Sequence, residues 1–332
     1  MRQAMANAEL GDDVYGEDPT INRLEELSAE LLGKQSSLFI PSGTMGNLAA
    51  ILTHCGRGDE IILGTQAHTF LYEAGGISAL GGIHPRTVPN QEDGTILLED
   101  IEASIRPDDP HCPITRLITI ENTHNRCGGT YLTKTYTKSV RELAQRYNLH
   151  LHLDGARIFN AAVAQGIDAK DLVEDTDSVT FCLSKSLCAP VGSVLCGNED
   201  FIHGARRIRK QLGGGMRQAG VLAAAGIVAL ENMIDRLADD HDRANRLATR
   251  LRDLPWIKLM KNPPPTNMVF LDIAEDSPLN AFEIAERLRR EGVLVGSVGE
   301  RRMRLVIHYW IDDKGVERVV DAFRKILNGT KG

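Results

Sequence analysis

The sequence predicts an α/β fold in which helices cover both faces of a largely parallel sheet, followed by a smaller α+β module. Three observations support this class. Helix-like and strand-like segments alternate from residue 20 onward, the strand-like segments are short and apolar, and a proline run at 263–265 precedes a shorter second set. Apolar strands that alternate with helices are typical of parallel sheets buried on both faces. With 332 residues, we expect a large domain over 1–235, which includes an N-terminal segment 1–20, and a small domain over 236–332.

Apolar spacing and stop signals place the elements in chain order. Leu24, Leu27 and Leu31 recur at helical spacing, and Gly33 provides the stop of that helix. The predicted helices are 21–32, 47–54, 136–147, a long connector 220–254, 281–291 and 314–327. The predicted strands are 37–40, 60–63, 115–121, 149–154, 178–185, 191–196, 268–272 and 303–309. Because ligands of such sheets bind at the carboxyl ends of strands, residues that follow strands are the candidates for function.

Composition and charge exclude several classes of function. Apolar residues make up 42% of the chain, charged residues 25%, and the net charge is −7. An acidic chain lacks the basic surface that nucleic acids and anionic membranes select, so we expect neither as a partner. The longest apolar run, 219–230, is shorter than the roughly 20 residues that a bilayer requires. The N-terminus carries no apolar signal-peptide core, so we expect a cytoplasmic protein.

The most informative residues are Asp154 and Lys185, each at the end of a predicted strand. Asp154 ends the run 149–154, and Lys185 ends the run 178–185. Enzymes that use pyridoxal 5'-phosphate (PLP) need a lysine that forms a Schiff base and an acidic group that pairs with the protonated pyridine nitrogen. Taken singly, Lys185 reads as a surface lysine and Asp154 as a helix cap. Their order in an α/β chain favours a PLP site.

A candidate phosphate loop and two histidines follow other strands. Ser42, Gly43 and Thr44 separate a strand from a helix, where backbone N–H groups suit a phosphate dianion. The same triplet is also an ordinary helix cap. His68 follows strand 60–63 as a candidate for stacking on the pyridine ring, and His124 follows strand 115–121 as a candidate general base. For each histidine, a structurally hydrogen-bonded imidazole is about as good an interpretation.

Arginines are the candidates for a substrate carboxylate, because a guanidinium offers a bidentate fork. Arg157 lies just beyond Asp154, and Arg304 begins a predicted strand of the second module. The basic cluster 206–210 is expected to be mostly a solvated helix face, with Lys210 and Arg217 as candidate phosphate neighbours. The six cysteines show no C-x-x-C spacing, which favours buried thiols over a metal site or a disulfide.

Together these segments resemble the low-specificity threonine aldolases, which are fold-type I PLP enzymes close to the β-eliminating lyases. The resemblance runs from about residue 11 to near the C-terminus, and its most specific segments are 11–20 (GDDVYGEDPT), 121–125 (ENTHN), 154–160 (DGARIFN), 183–185 (LSK) and 213–218 (GGGMRQ). It implies a mostly parallel seven-stranded sheet in the large domain, a smaller α+β domain, PLP as the cofactor and no metal. It also implies a homotetramer with active sites at dimer interfaces.

The resemblance assigns a role to each candidate residue. It implies that Lys185 holds PLP, that Asp154 pairs with its ring nitrogen and that His68 stacks on the ring. The implied phosphate and further cofactor contacts are Ser42, Gly43, Thr44 and Arg157, with Lys210 and Arg217 from a neighbouring subunit. The implied substrate contacts are Arg157 and Arg304 at the carboxylate, His124 at the β-hydroxyl, and Tyr15 and Tyr72 near the pocket.

Two departures from the family pattern stand out. The family usually has an upstream strand, Arg-Ser-Asp-Thr-x-Thr-x-Pro, whose serine helps to bind the substrate carboxylate, and this sequence starts beyond it. We expect that departure to affect substrate affinity and dimer packing more than cofactor attachment. Ser186 and Cys188 replace glycines that commonly follow the Schiff-base lysine, so we expect their side chains to crowd that loop or alter its geometry.

The reaction that this resemblance implies is retro-aldol cleavage of a β-hydroxy-α-amino acid. L-threonine or L-allo-threonine would give glycine and acetaldehyde. Three alternatives stay open at this point. One is a different PLP reaction on the same scaffold, either β-elimination or transamination. The second is a non-catalytic PLP-fold protein that lacks the N-terminal strand, and the third, more remote, is RNA binding through 206–210.

Overall fold

The computed structural model describes residues 1–329 and divides into two compact units, Met1–Asp235 and a second that begins at Arg236. The strands of the first unit are Ser36–Ile40 (β1), Glu60–Gly64 (β2), His84–Val88 (β3), Thr115–Glu121 (β4), His150–Asp154 (β5), Ser178–Cys182 (β6) and Ser193–Gly197 (β7). Its helices are Arg2–Ala6 (α1), Pro19–Leu32 (α2), Gly43–His54 (α3), His68–Leu71 (α4), Gly76–Ala79 (α5), Leu98–Ser104 (α6), Lys134–Arg146 (α7), Ile158–Gln165 (α8), Ala169–Val173 (α9), Glu199–Gln211 (α10) and Gly220–Asn232 (α11), with a 3-10 helix at Asp13–Tyr15.

The strands of the first unit form one seven-stranded sheet in the order β1-β7-β6-β5-β4-β2-β3. β7 runs antiparallel to its neighbours β1 and β6, and the remaining pairs are parallel. The predicted fold class, a mostly parallel sheet with covering helices, is thereby confirmed. Parallel pairing brings strand ends together: Glu121 at the end of β4 lies opposite Asp154 at the end of β5.

Helix caps explain where the elements near the sheet begin. Asp18 caps α2 by accepting hydrogen bonds from the backbone N–H groups of Thr20 and Ile21, and Gly33 ends that helix with a φ of 59°. Ser42 caps α3 through the N–H of Met45, so this helix begins four residues earlier than predicted. The phosphate-loop candidates therefore form the cap and the first turn of α3.

Some predicted elements differ in extent from the structure, and other elements, such as β3, were not predicted. β6 ends at Cys182 rather than at residue 185, because the N–H groups of Leu183 and Ser184 turn away to the Gly192 carbonyl. The long connector 220–254 is interrupted between residues 232 and 237. β3 was missed because its sequence, HPRTV, is polar at most positions, as an edge strand allows.

The second unit is a small α+β module. Its helices are Leu237–Leu251 (α12), Ala281–Arg290 (α13) and Asp313–Asn328 (α14), and its strands are Ile257–Leu259 (β8), Met268–Ile273 (β9), Gly296–Ser297 (β10) and Arg302–Val306 (β11). The strands pair antiparallel in the order β10-β11-β9-β8 over a core that includes Leu271, Leu305 and Phe323. Arg304 therefore lies in the middle of a strand, opposite Phe270, and not at its start as predicted. Within residues 1–329, no helix is long and apolar enough to cross a bilayer.

Candidate active site

A cavity of about 340 Å³ lies where the carboxyl ends of β5 and β6 approach the first turn of α3. This volume falls in the range of small-molecule sites, which is roughly 300–1,000 Å³. Six of the predicted site residues line it: Ser42, Gly43, Thr44, His68, Asp154 and Lys185. The other lining residues are Pro41, Asn47, Glu73, Ala156, Cys182, Ser184, Pro190, Val191 and Gly192.

Asp154 is buried and held by two hydrogen-bond donors. Its Oδ2 accepts from the Asn47 side-chain amide at 2.9 Å, and its Oδ1 accepts from the backbone N–H of Ala156 at 3.1 Å. The Asn47 amide also donates to Glu73 Oε1 at 2.8 Å, so Asn47 bridges two carboxylates. The direction of the Asp154 carboxylate is therefore set by α3 and by its own strand end.

His68 is oriented by acidic groups at both its ring and its backbone. Its Nδ1 lies 2.9 Å from Glu73 Oε1, and its backbone N–H donates to Glu121 Oε2 at 2.8 Å. The hydrogen bond to Glu73 raises the pKa of His68 above its usual value, and burial raises the pKa of Glu73. The ring of Tyr72 lies 5.6 Å from that of His68, centroid to centroid. The imidazole thus lines the cavity with its Nδ1 already engaged.

The loop that carries Lys185 connects β6 to β7. The backbone carbonyl of Lys185 accepts from the N–H of Cys188, whose φ of 64° lies in the left-handed region. A non-glycine residue in that region is strained. Cys188 therefore keeps a conformation that favours glycine. Ser186 is buried and is absent from the positive-φ residues, so it needs no such conformation.

His124 is buried, with 1% of its surface exposed, and does not line the cavity. Its Nδ1 accepts from the backbone N–H of Cys127 at 3.3 Å, which places the proton of a neutral ring on Nε2. That Nε2 lies 3.9 Å from Glu121 Oε2, the oxygen that also accepts from the His68 backbone. Glu121 thus links the two predicted histidines.

The other predicted residues of the first unit are not among those that line the cavity. Arg157 is half-buried and precedes α8, next to the lining residue Ala156. Tyr15 is exposed, and the guanidinium of Arg217 lies 5.9 Å from its ring centroid. Lys210 is exposed in the last turn of α10, and Arg304 belongs to the second unit.

The basic cluster 206–210 is solvated at Arg207 and Lys210, which are exposed, but not at Arg209. Arg209 is buried and donates to the Asp13 carboxylate at 2.8 Å and to the Phe39 carbonyl at 2.9 Å. Arg206 pairs with Glu25 at 2.7 Å. Arg209 departs from the expected solvated face because its acidic partner, Asp13, comes from a distant part of the sequence.

Sequence reasoning missed the residues that orient the site, namely Asn47, Glu73 and Glu121. Each belongs to a segment that was recognised, but none was given a role. Glu73 follows His68 by five residues in a largely apolar run, and a single carboxylate so near a candidate histidine was the available signal. Asn47 had no local signal, because its partners Glu73 and Asp154 come from other elements.

The cavity residues fit PLP. A lysine amine and a buried carboxylate line the same cavity, as a Schiff base and a pyridine nitrogen require. A Cβ atom at Gly43 would lie 2.9 Å from Cys182 Sγ, so the start of α3 is kept small where a phosphate would approach. The first backbone N–H groups of α3 are available for an anion there.

Comparison with known proteins agrees with this geometry. A profile of the β-eliminating lyase family matches residues 1–276. The chain belongs to that family. The protein is accordingly a PLP-dependent lyase, consistent with the residues that line its cavity.

Family relatives resemble the chain over nearly its whole length. Low-specificity L-threonine aldolase 1 of Arabidopsis thaliana is 48% identical over 332 residues, covering 98% of this chain and 92% of its own. Low specificity L-threonine aldolase of Escherichia coli K12 is 45% identical over 327 residues, covering 98% and 95%. A solved threonine aldolase from Leishmania major superposes with a TM-score of 0.80 at 25% identity, covering 94% and 91%. The family and the resemblance expected from the sequence are both confirmed.

Proposed function

We propose that this lyase is a low-specificity threonine aldolase that cleaves L-threonine or L-allo-threonine to glycine and acetaldehyde. The observation that carries the proposal is the convergence of Lys185, Asp154 and His68 on one cavity, in a chain that is 45–48% identical to enzymes with that name. Bound PLP would supply an electron sink for the pair released when the Cα–Cβ bond breaks. The contributions of the chain itself follow from the contacts described above.

Asp154 and Lys185 are the proposed cofactor anchors. The donors Asn47 and Ala156 hold the Asp154 carboxylate in one orientation, which suits a fixed partner at the pyridine nitrogen. The Lys185 amine lines the same cavity and is the candidate for covalent attachment. Ser42, Gly43 and Thr44 are assigned to the phosphate.

His68 and His124 are assigned to the ring face and the β-hydroxyl. With its Nδ1 held by Glu73, His68 can stack on the pyridine without turning. His124 carries its proton on Nε2 in this geometry, so it donates a hydrogen bond and does not accept the hydroxyl proton directly. We assign that step to a water molecule held by His124, which would take the hydroxyl proton and release a proton to solvent.

The other predicted contacts belong to the same proposal. Arg157 and Arg304 are assigned to the substrate carboxylate, Tyr15 and Tyr72 to the pocket, and Lys210 and Arg217 to the phosphate of a neighbouring subunit. The exposed apolar side chains Phe70 and Leu71, beside Tyr72, support a second copy on this side of the first unit. Homotetramer formation is checked by light scattering coupled to gel filtration. The cytoplasmic location and the direction of flux, glycine formation or threonine breakdown, also stay predictions.

The decisive assay follows all products of L-threonine with pure, PLP-reconstituted protein. Retro-aldol cleavage yields equimolar glycine and acetaldehyde. β-Elimination, which the family description makes the specific rival, yields 2-oxobutanoate and ammonia instead. Keto acid and ammonia in place of acetaldehyde would overturn the proposal, and a PLP-loaded protein that releases none of these would point to a non-catalytic role.

The first prediction concerns Lys185. Lys185→Ala should lower acetaldehyde release at least about a thousandfold, because the covalent anchor is lost. The matched control is Lys138→Ala, which removes an exposed lysine of α7 and should leave turnover unchanged. Wild-type turnover in Lys185→Ala would show that the lysine is assigned wrongly.

A further inference from the structure

A line of buried polar side chains runs from Asp154 away from the cavity. Asn47 Nδ2 lies 2.9 Å from Asp154 Oδ2, and His152 Nε2 lies 3.3 Å from Asn47 Oδ1. Beyond them, Ser178 Oγ lies 2.8 Å from His152 Nδ1 and 2.8 Å from His54 Nε2. Asn47, His152 and Ser178 are at most 2% exposed. Asn47 lines the cavity, whereas His152, Ser178 and His54 are not among its lining residues.

The direction of each hydrogen bond in this line is fixed by chemistry. The Asn47 NH₂ faces Asp154 and Glu73, whose carboxylates accept, so the Asn47 oxygen faces His152. His152 Nε2 must then donate. A neutral His152 with its proton on Nε2 has an acceptor at Nδ1, to which the Ser178 hydroxyl donates a hydrogen bond. Ser178 in turn accepts from His54 Nε2, and every donor points towards Asp154.

Both imidazoles are neutral at physiological pH, as this polarity requires. Burial lowers the pKa of His152 to about 4, against a smaller raising effect of Asp154. Burial also lowers the pKa of His54 to about 3, and the neighbouring rings of His152 and His150 add to that lowering. His150 lies against His54 with ring centroids 4.7 Å apart, and its Nδ1 is 3.7 Å from the Asp177 carboxylate. The charge of Asp177 is taken up by Arg141 at 2.6 Å and by the Leu151 N–H at 2.8 Å.

We propose that His152 is a positioning residue for the cofactor site, acting through Asn47 as part of a one-way chain His54–Ser178–His152–Asn47 that ends on Asp154. The inference deepens the proposed function and rests on its assignment of Asp154 to the pyridine nitrogen. His152 locks the Asn47 amide in the orientation that donates. Without it, the amide can rotate and turn its oxygen towards Asp154, which would repel the carboxylate. Hydrogen bonds aligned in series also polarise one another, so the last donor in the chain is strengthened.

The test compares two variants of the chain with a matched control. His152→Leu removes the donor to Asn47, and Ser178→Ala removes the hydroxyl that fixes the tautomer of His152. Ser28→Ala is the control, because Ser28 is also fully buried but its hydroxyl has no hydrogen-bond partner within residues 1–329. PLP dissociation constants and absorption spectra of the PLP-bound proteins are measured without substrate, and kcat and KM with L-threonine. Thermal unfolding of the PLP-free proteins reports separately on stability.

His152→Leu is expected to raise the PLP dissociation constant about tenfold or more, because the Asn47 amide is then free to rotate and its hydrogen bond to the Asp154 carboxylate is weakened. Its PLP absorption band should shift, and kcat should fall more than KM rises. Ser178→Ala should change the same quantities in the same direction by less, and Ser28→Ala should leave them unchanged.

Two results would overturn the inference. In the first, Ser178→Ala has the PLP affinity and spectrum of wild type, and His152→Leu either has wild-type values too or fails to fold. The other is a shift in Ser28→Ala as large as that in Ser178→Ala. Because affinity and spectrum are read without substrate, the result stands apart from the aldolase proposal. A wild type that binds PLP yet releases no acetaldehyde contradicts the proposed reaction and leaves the comparison of variants valid.

Discussion

At the scale of single residues, Cys188 shows how the chain tolerates a departure from glycine. The residue keeps a φ of 64°, and its N–H bonds to the Lys185 carbonyl, so the turn beside the lysine is preserved. Left-handed backbone costs a side-chain-bearing residue about 1–2 kcal/mol. We expected residues 186 and 188 to crowd the loop or alter its geometry. At Cys188 the consequence is backbone strain, whereas Ser186 has no left-handed backbone and carries no such strain.

The strain at Cys188 gives a prediction about stability. Cys188→Gly should leave the free energy of unfolding within about 1 kcal/mol of wild type, because relief of strain offsets the greater freedom of the unfolded chain. Cys188→Val should lower it by about 2 kcal/mol or more, because a β-branched residue is poorly tolerated at positive φ. Cys112→Val, at a partly buried position outside the positive-φ set, is the control. Equal unfolding midpoints for the two valine variants in urea would contradict this account.

Residue roles divide clearly into those that a sequence can reveal and those that it cannot. Asp154 and Lys185 follow strands in a recognisable order, so local pattern predicted that both would reach one site. His152 alternates with leucines in a strand, which predicts a buried structural imidazole. Its contact with Asn47 joins residues 105 positions apart, and no local pattern encodes such a pair.

At the scale of elements, the buried pair of Asp13 and Arg209 joins the segment before α2 to α10. Both side chains are at most 4% exposed, and the Asp13 N–H also donates to the Arg217 carbonyl. The neighbouring pair, Asp12 and Arg217, is more open, with the arginine 56% exposed. The two pairs join the same segments in different surroundings.

These two pairs should differ sharply in their contribution to stability. Asp13→Asn leaves the buried Arg209 charge without its counter-charge and should cost about 3 kcal/mol of unfolding free energy. Asp12→Asn removes a half-buried charge whose partner Arg217 is exposed, keeps a capping side chain, and should cost less than about 1 kcal/mol. Denaturant unfolding of both variants checks the order. Equal losses would show that burial does not govern the contribution of these pairs.

Element prediction succeeded where apolar runs were long and failed where context decides. β4, β5 and β6 are nearly all buried, so their sequences stand out. β3 borders the sheet and carries a proline and an arginine, which only an edge position permits. The interruption between α11 and α12 contains neither proline nor glycine, so no stop signal marks it in the sequence.

At the scale of the whole molecule, the fold class was predictable because it follows from alternation and buried strands, which are properties of the entire chain. The antiparallel direction of β7 was not predictable from its sequence, because that sequence is as apolar as that of a parallel strand. Pairing direction depends on the length of the connection. The ten residues from 183 to 192 suffice for an antiparallel return but leave little room for a crossover helix.

Acid should destabilise the folded protein partly through His152. Its pKa is about 4 in the fold against an ordinary 6.5, so between these values the unfolded chain binds a proton that the folded one does not. The stabilisation from this residue is therefore complete above about pH 6.5 and declines as the pH falls towards 4, by up to about 1.4 kcal/mol per pH unit. Unfolding curves from pH 7 to pH 4.5 should fall more steeply for wild type than for His152→Leu. Parallel curves would exclude the contribution.

The position of β1 in the sheet has a consequence for the order of events during biosynthesis. β1 carries the loop 41–44 of the cavity, yet it is an edge strand whose neighbour in the sheet is β7, made only after residue 192. A nascent chain that ends before β7 has the loop 41–44 but not the neighbouring strand that would fix it in place. Since domains form as their sequence emerges, the first unit must be nearly complete before this site exists. PLP therefore binds late in biosynthesis. An incomplete or proteolysed chain that lacks β7 gains no stability from PLP.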